Sequence, residues 1–162
     1  MEFLNPDFEL PAPGANTLDL RLRVRAFLQE ERAAGRFAPA CNAWMECFSA
    51  DFSRRLGERG WIGYHWPEAC GGRGGSAFET LAINEELLAA GAPGAAHWVA
   101  ARQSGPLLMR FGTEAQRQRF LPRIAAGELY FAIGMSEPDV GSDLASVRTR
   151  GEAHGGGWRL NG

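Results

Sequence analysis

FAIGMSEPDVGSD, residues 131–143, is the stretch at which the sequence changes from a helical to a strand-like pattern. An apolar run of strand length leads into a polar turn that carries serine hydroxyls, carboxylates and a glycine. Hydroxyls and successive backbone N–H groups beyond a strand end can hold the polar edge of a small molecule. The residues alone leave two interpretations open: a ligand site, or a tight structural turn that Glu137 and Asp143 brace.

Helical periodicity governs the chain before this stretch. Thr17 is expected to cap a helix over 18–34, and apolar residues spaced by four predict a second helix over 42–59. Gly60 is expected to end that helix. The aromatic segment 61–67 has no regular period, and we expect it to be irregular and buried.

Two capping boxes mark later helices. Ser76 with Glu79 predicts a helix over 77–90, which Gly91 ends. Thr113 with Gln116 predicts another, through residue 126. On the first of these helices, one face carries Phe78, Leu81, Ala82, Glu85 and Leu88. Between the two, a helix that Pro93 can open is expected to reach Phe111, with an interruption at Gly105-Pro106.

After residue 128 the period becomes that of strands. Residues 129–135 are predicted as one strand, 146–153 as a second and 158–162 as a third, with Gly155-Gly156-Gly157 as the hairpin turn. The predicted organisation is therefore an extended arm over 1–16, a helical domain over 17–128 and the start of a β domain over 129–162.

The composition excludes several classes of protein. Of the 162 residues, 45% are hydrophobic and 22% are charged, which is typical of a folded globular domain. The net charge is −2, and all 17 basic residues are arginine, so no basic field is present to hold nucleic acid. No apolar run approaches the roughly 20 residues that a membrane span requires, and we expect a cytoplasmic protein.

Motifs for metal or phosphate chemistry are weak. The three cysteines and three histidines lack the spacing of a zinc site, so we expect no metal and reduced thiols. GGRGGS at 71–76 approximates a phosphate loop, but no Val/Ile-rich strand precedes it, which favours a structural loop. Glu30-Glu31 and Glu85-Glu86 are neighbours that point in different directions on a helix, and we expect them to be solvated or structural.

Four segments occur in the order in which the acyl-CoA dehydrogenase family shows them, and the chain resembles that family over about 17–162. They are GWIGYHWPEACGG at 60–72, EEL at 85–87, GTEAQRQRFLPRIAAGE at 112–128 and MSEPDVGSD at 135–143. The resemblance implies a mainly α chain, with the family's N-terminal helical domain followed by the first strands of a truncated β domain. It also implies a C-terminal four-helix domain that these residues do not include.

The resemblance further implies a function. FAD would be held between domains and across a dimer contact, with an acyl-CoA thioester against the flavin. A carboxylate base would remove the α-proton while a hydride leaves for flavin N5, which desaturates the acyl group. The implied partners are an electron acceptor, such as an electron-transfer flavoprotein, and further subunits in a homo- or hetero-oligomer.

Carried over residue by residue, the resemblance places the flavin along residues 133–142. The implied cofactor-binding residues are Ile133, Met135, Ser136, Gly141 and Ser142. Met135 would contribute its main chain, Ser136 a hydroxyl where many members carry threonine, and Ser142 would also approach the acyl-CoA. The base usually lies in the C-terminal domain, so no catalytic residue is assigned, and the base is expected beyond Gly162.

Two alternatives stay open. A related acyl-CoA oxidase or flavin monooxygenase would keep the fold but let oxygen consume the reduced flavin. A non-catalytic short partner subunit or remnant would carry no chemistry of its own. The leading expectation is the N-terminal part of a longer dehydrogenase, inactive by itself.

Overall fold

The computed structural model describes residues 14–162, so the predicted arm lies almost wholly outside the described residues. The chain is mainly helical, and its last two elements are antiparallel strands, which confirms the predicted fold class. Its contacts divide it into two units. We call residues 14–131 the helical unit and residues 132–162 the hairpin unit.

The described residues of the helical unit form seven α-helices. They are α1 (Ala15–Ala33), α2 (Ala43–Glu46), α3 (Ala50–Glu58), α4 (Ala77–Ala89), α5 (Ala95–Val99), α6 (Gly105–Phe111) and α7 (Glu114–Ala125). A 3₁₀ turn spans Glu68–Cys70, and a π-helical turn, Ala100–Ser104, joins α5 to α6. Helix α1 packs against α4, α2 against α5, and α6 against α7.

The start of α1 differs from the prediction. Gly14 is the N-cap, and the N–H groups of Thr17 and Leu18 donate to its carbonyl at 3.0 and 3.2 Å. Thr17 lies inside the first turn and is buried, so its predicted role as the cap was wrong. A glycine cap uses only its backbone, which is why the side-chain pattern did not reveal it.

The single helix predicted over 42–59 is also wrong. Helix α2 ends at Glu46, the backbone is extended at Cys47, and α3 begins after Ser49. The Ser49 hydroxyl accepts the N–H of Phe52 at 3.2 Å and thereby caps α3. Serine competes for backbone hydrogen bonds in this way, and the apolar spacing by four runs through the break without marking it.

Trp66 lies in the core of the helical unit with no exposed surface. A Cβ at Gly63, Gly72 or Gly105 would lie only 2.5, 2.1 or 2.2 Å from Trp66 atoms, so glycine is required at all three positions. Because Gly72 is packed against the Trp66 carbonyl, the loop at 71–76 is structural, as predicted. The other large core side chains with less than 2% exposure are Phe52, Leu20, Leu56, Ile83, Leu121, Ile124 and Val24.

Helices α4 and α7 begin as predicted. Both capping boxes are complete, with Ser76 and Glu79 at the first and Thr113 and Gln116 at the second. Gly91 follows α4 with a φ of +59°. The predicted apolar face of α4 is not its buried face. The buried residues of the helix are Ala82, Ile83, Glu86 and Leu87, and only Ala82 belongs to the predicted face.

The predicted interruption near Gly105-Pro106 is present. Pro106 has no N–H to donate, and its ring would clash with the carbonyl four residues earlier in a regular helix. The chain forms a π-helical turn just before this position, in which the Gly105 N–H donates to the carbonyl of Ala100. The helical direction continues from α5 into α6 through this turn.

Arginine–carboxylate pairs join the helices. Glu86 of α4 forms salt bridges with two arginines of α1, Arg25 at 2.7 Å and Arg21 at 3.1 Å. Glu31 of α1 forms salt bridges with Arg36 at 2.5 Å and with Arg55 of α3 at 2.7 Å. Glu31 and Glu86 are buried and structural, whereas their neighbours Glu30 and Glu85 are exposed, so each acidic pair has one structural and one solvated member.

In the hairpin unit, β1 (Arg150–His154) pairs antiparallel with β2 (Gly157–Asn161). Gly155 and Gly156 form the turn, with φ of +57° and +79°. The strand predicted over 129–135 does not form. A strand needs a hydrogen-bonded neighbour, and none of the residues that the structure describes pairs with this segment.

Candidate functional site

A tight turn lies at the centre of the candidate segment. The Glu137 N–H donates to the Val140 carbonyl at 2.9 Å, and the Val140 N–H donates back to the Glu137 carbonyl at 3.0 Å. Ser136 and Gly141 are the residues immediately outside this pair. The turn therefore brings together two of the predicted site residues that are five positions apart in the sequence.

The Glu137 side chain connects this turn to the segment that enters β1. One carboxylate oxygen, Oε2, accepts the N–H of Arg148 at 2.9 Å. The other, Oε1, accepts the N–H of Thr149 at 2.7 Å and the Thr149 hydroxyl at 2.5 Å. The Thr149 hydroxyl first, and then the two backbone N–H groups, lower the pKa of Glu137 below its usual 4.5. Both oxygens are thus occupied as acceptors by the chain itself.

A second carboxylate braces the same loop. The Asp143 carboxylate accepts a hydrogen bond from the Ser146 hydroxyl, and the Asp143 backbone carbonyl accepts one from the Ser146 N–H at 3.0 Å. These bonds shape the 3₁₀ turn Leu144–Ser146. The bracing interpretation of Glu137 and Asp143 is confirmed, although the partners of Glu137 lie 11 and 12 residues downstream rather than within the turn.

The predicted site residues are all exposed. Ile133 and Met135 present large apolar side chains at 45% and 59% exposure, and Ser136, Gly141 and Ser142 are also open. No atom lies within 4 Å of the position that a Cβ would occupy at Gly141. A planar ligand can therefore approach the backbone there, with apolar side chains and hydroxyls on the same short segment.

This arrangement can bind and orient a ligand, but its most heavily bonded carboxylate, Glu137, is engaged by the chain itself. An isoalloxazine ring has an apolar body and a polar edge, and apolar side chains beside hydroxyl and backbone N–H donors fit both parts. The Glu137 carboxylate is a poor candidate for a general base, because three of its acceptor sites already receive donors from the chain.

His97 and Ser53 form the one Ser–His hydrogen bond between buried residues that the described chain records, at 3.1 Å from Oγ to Nδ1. Burial lowers the pKa of His97 to about 4, so the ring is neutral at physiological pH. Ser53 has no exposed surface, and no carboxylate is recorded on the His97 ring. The pair lacks both the orienting acid and the access that a nucleophilic dyad needs, and it is structural.

Residues 14–162 contain neither a candidate metal site nor a helix suited to cross a membrane. No group of three or more histidine, cysteine or acidic side chains is arranged to hold a metal ion. None of the helices described is both long and apolar enough to cross a bilayer. Cys41, Cys47 and Cys70 are free thiols.

Sequence reasoning missed Thr149. It lies 12 residues after Glu137, and no short motif or helical spacing links the two positions. A carboxylate followed by a β-branched hydroxyl residue at a strand entrance is too common a pattern to be recognised alone. Only the folded loop reveals the contact.

Three comparisons place the chain among known proteins. The sequence profile of the "Acyl-CoA dehydrogenase, N-terminal domain" matches residues 15–128. "Acyl-CoA dehydrogenase FadE26" of Mycobacterium tuberculosis (strain ATCC 25618 / H37Rv) is 42% identical over 108 residues, which are 67% of this chain and 26% of that protein. The chain therefore spans about a quarter of the length of this relative.

Two solved structures share the fold of most of the chain. The ChsE4-ChsE5 complex from Mycobacterium tuberculosis superposes with a TM-score of 0.75 at 33% identity, covering 95% of this chain and 39% of that one. A glutaryl-CoA dehydrogenase from Mycobacterium smegmatis, solved in complex with FADH2, gives a TM-score of 0.71 at 28% identity. The match covers 93% of this chain and 38% of that one.

Proposed function

This chain belongs to the acyl-CoA dehydrogenase family, and from that membership we propose that it serves an FAD-dependent acyl-CoA dehydrogenase as its N-terminal helical domain and first flavin-contacting segment. The proposed helical domain spans residues 17–128, and residues 129–162 contribute the first strands of the β domain. The proposed reaction is α,β-desaturation of an acyl-CoA thioester. The observation that carries the proposal is the family match over 15–128.

FAD, when bound, would supply the two-electron acceptor for the hydride that leaves the β-carbon of the substrate. The residues of this chain that would hold it are Ile133, Met135, Ser136, Gly141 and Ser142. Their open, partly apolar surface supports this role, and so does the open space at Gly141. The bound FADH2 of the glutaryl-CoA dehydrogenase neighbour supports the choice of cofactor.

Each residue has a proposed task. Ile133 would cover the apolar ring and exclude water from its face, and Met135 would contribute its main chain. The Ser136 hydroxyl would donate to the polar edge of the ring, and the turn at Glu137 and Val140 directly follows Ser136. Ser142 is proposed to contact both the cofactor and the acyl-CoA. The base that removes the α-proton is not assigned to any residue of this chain.

The proposed partners are those that membership of the family implies. An acyl-CoA is the substrate, an acceptor such as an electron-transfer flavoprotein removes the electrons, and the protein works as a homo- or hetero-oligomer. The ChsE4-ChsE5 neighbour is a complex of two named components, which supports an assembly with more than one chain. We also propose a cytoplasmic location for the protein.

The test uses the protein in the form in which its own cells make it, with any subunit that copurifies. Its visible spectrum is recorded under anaerobic conditions while straight-chain, branched and ring-bearing acyl-CoAs are added. We expect an oxidised flavin spectrum that at least one acyl-CoA bleaches, with the enoyl-CoA product identified by mass.

A flavin that no acyl-CoA in the set bleaches would contradict the dehydrogenase proposal, and the absence of any flavin would contradict the cofactor proposal as well. Readmission of air distinguishes the oxidase alternative. Stoichiometric peroxide together with poor reduction of an acceptor dye would assign the reduced flavin to oxygen rather than to a protein acceptor.

A further inference from the structure

The most heavily bonded side chain of the hairpin unit is one to which the proposed function gives no task. Glu137 accepts three hydrogen bonds, all from two consecutive residues that lie just before β1. Its own backbone also forms the turn with Val140. A single residue therefore closes the turn through its main chain and the longer loop through its side chain.

We propose that Glu137 is a positioning residue for the cofactor: its carboxylate clamps the loop 137–149, and the clamp holds the backbone of Ser136, Gly141 and Ser142 in the geometry that binds flavin. The inference rests on the proposed function, since it assumes that these residues contact FAD. Gly141 and Ser142 lie inside the clamped loop, and Ser136 directly precedes the clamping residue.

The chemistry of the contact requires a carboxylate. Arg148 N–H, Thr149 N–H and the Thr149 hydroxyl all donate, so the group that receives them must offer acceptors on both of its terminal atoms. Charge-assisted bonds of this kind are shorter and stronger than neutral ones. A glutamine at 137 keeps the shape but turns one acceptor into an NH₂ donor that faces another donor.

The side-chain clamp supplements few other contacts of the loop 137–149. Val140 is buried, but Leu144 and Val147 are 43% and 41% exposed, so the loop has limited apolar burial to stabilise it. Its other recorded bonds are local, such as those within the turn at Glu137 and Val140 and between Asp143 and Ser146. The open space at Gly141 gives the backbone no steric restraint there. Fixing a flexible loop in its binding conformation before the ligand arrives reduces the ordering cost of binding.

The experiment compares the parent protein, as its own cells make it, with Glu137→Gln, Thr149→Val and the double variant. The measurements are the FAD dissociation constant, the shape of the flavin absorption band, and hydrogen exchange of the Arg148 and Thr149 amides without added FAD. Glu152→Gln is the matched control, because Glu152 is an exposed carboxylate of β1 for which no hydrogen bond is recorded. Ser76→Ala controls for general destabilisation, because it removes a helix cap in the helical unit.

We expect Glu137→Gln to speed exchange at both amides, to alter the flavin band and to weaken FAD binding about tenfold, which equals about 1.4 kcal/mol. Thr149→Val removes one of the three donors and should weaken binding by about threefold. In the double variant, Thr149→Val should reduce FAD affinity by less than it does in the parent protein, because Glu137→Gln has already broken the same contact. Glu152→Gln and Ser76→Ala should leave FAD affinity and the flavin band unchanged.

Three results would overturn the proposal. Unchanged exchange at Arg148 and Thr149 in Glu137→Gln would show that the carboxylate does not clamp the loop. Faster exchange with unchanged FAD affinity would leave the clamp as a purely structural contact, and the proposed function would stand. A parent protein that binds no FAD would overturn both the positioning role and the proposed cofactor, even if exchange reported an intact clamp.

Discussion

The helical unit and the hairpin unit are stabilised by different interactions. The helical unit buries a continuous apolar core around Trp66 and caps α4 and α7 through reciprocal side-chain bonds. The hairpin unit exposes every residue of β1 and β2, and its loop is held by the carboxylates of Glu137 and Asp143. The first unit is therefore held mainly by its buried core, whereas the second is held mainly by hydrogen bonds at its surface; in the function proposed above, that surface presents groups to a ligand.

Truncation of a tryptophan should give the largest difference in stability between the two units. Trp66→Ala removes a fully buried side chain and should lower the free energy of unfolding by about 3–5 kcal/mol. Chemical denaturation followed by far-UV circular dichroism measures the change. Trp158→Ala is the matched variant in the hairpin unit, where the side chain is 75% exposed, and it should change stability by less than about 0.5 kcal/mol. Equal effects of the two substitutions would remove the distinction between a unit held by its core and one held at its surface.

The second largest difference between the two units is expected from adding a single methyl group, which should lower the free energy of unfolding in the helical unit but not in the hairpin unit. A Cβ at Gly57 would lie 2.2 Å from the backbone of Ala126, which cannot move aside, so Gly57→Ala should destabilise by about 1–3 kcal/mol. This reverses the stabilisation that alanine usually gives over glycine within a helix. Gly134→Ala, where no atom lies within 4 Å of the new Cβ, should be near neutral in the same denaturation assay. A stabilised Gly57→Ala variant would contradict the tight contact of α3 with Ala126.

The ion pairs between α1 and α4 should make a pH-dependent contribution to the stability of the helical unit. Hydrogen bonds from Arg25, and then from Arg21, lower the pKa of Glu86 below 4.5, against the opposing effect of its partial burial. The carboxylate therefore contributes stability above pH 4.5, and the contribution is lost as the pH falls through its lower folded-state pKa. Glu86→Gln should cost about 1–2 kcal/mol at pH 7, a value reduced for the partial exposure of both arginines.

Thermal unfolding at several pH values checks this prediction. The parent and Glu86→Gln curves should converge below pH 4.5, where the parent carboxylate gains its proton. Glu85→Gln is the control, because Glu85 is about half exposed and pairs with Arg21 alone. A constant difference between parent and Glu86→Gln from pH 7 to pH 3 would show that the ionised pair is not the cause.

Loss of a helix cap should be the smallest of these effects. Ser76→Ala removes the hydroxyl that accepts the Glu79 N–H at 3.2 Å, and it should cost about 1 kcal/mol. Ser76→Asp, which keeps an acceptor at the same position, should retain most of the stability. Calorimetry of the two variants tests the assignment, and an equal loss in both would show that the cap hydrogen bond is not what stabilises α4.

The sequence predicted the features that local chemistry dictates. The capping boxes, the stop at Gly91, the interruption before Pro106 and the hairpin turn all depend on residues within a few positions of each other. The turn was predicted over Gly155-Gly156-Gly157, and it uses the first two of these glycines, because Gly157 begins β2. The cap at Gly14 was missed because it uses only backbone groups, and the break before Ser49 was missed because the apolar spacing continues across it. Which face of α4 is buried was not predictable, because it depends on α1 and the arginines that pair with Glu86.

The candidate site shows the same limit. The polar turn and its bracing carboxylates were evident from the residue types at 136–143. The contact of Glu137 with Thr149 was not, because it joins positions 12 apart through the folded loop. The roles of Ile133, Met135, Ser136, Gly141 and Ser142 at a flavin remain a prediction from the family resemblance.

Hydrogen exchange with and without added FAD tests the central claim most directly. The measurement uses the protein as its own cells make it, after removal of bound flavin, and follows peptides across the whole chain by mass spectrometry. We predict that FAD slows exchange in peptides covering residues 132–149, while the peptide containing α3 keeps its slow exchange unchanged. FAD that does not bind, or that protects only residues outside 132–149, would contradict the assignment of this segment as the flavin-binding surface.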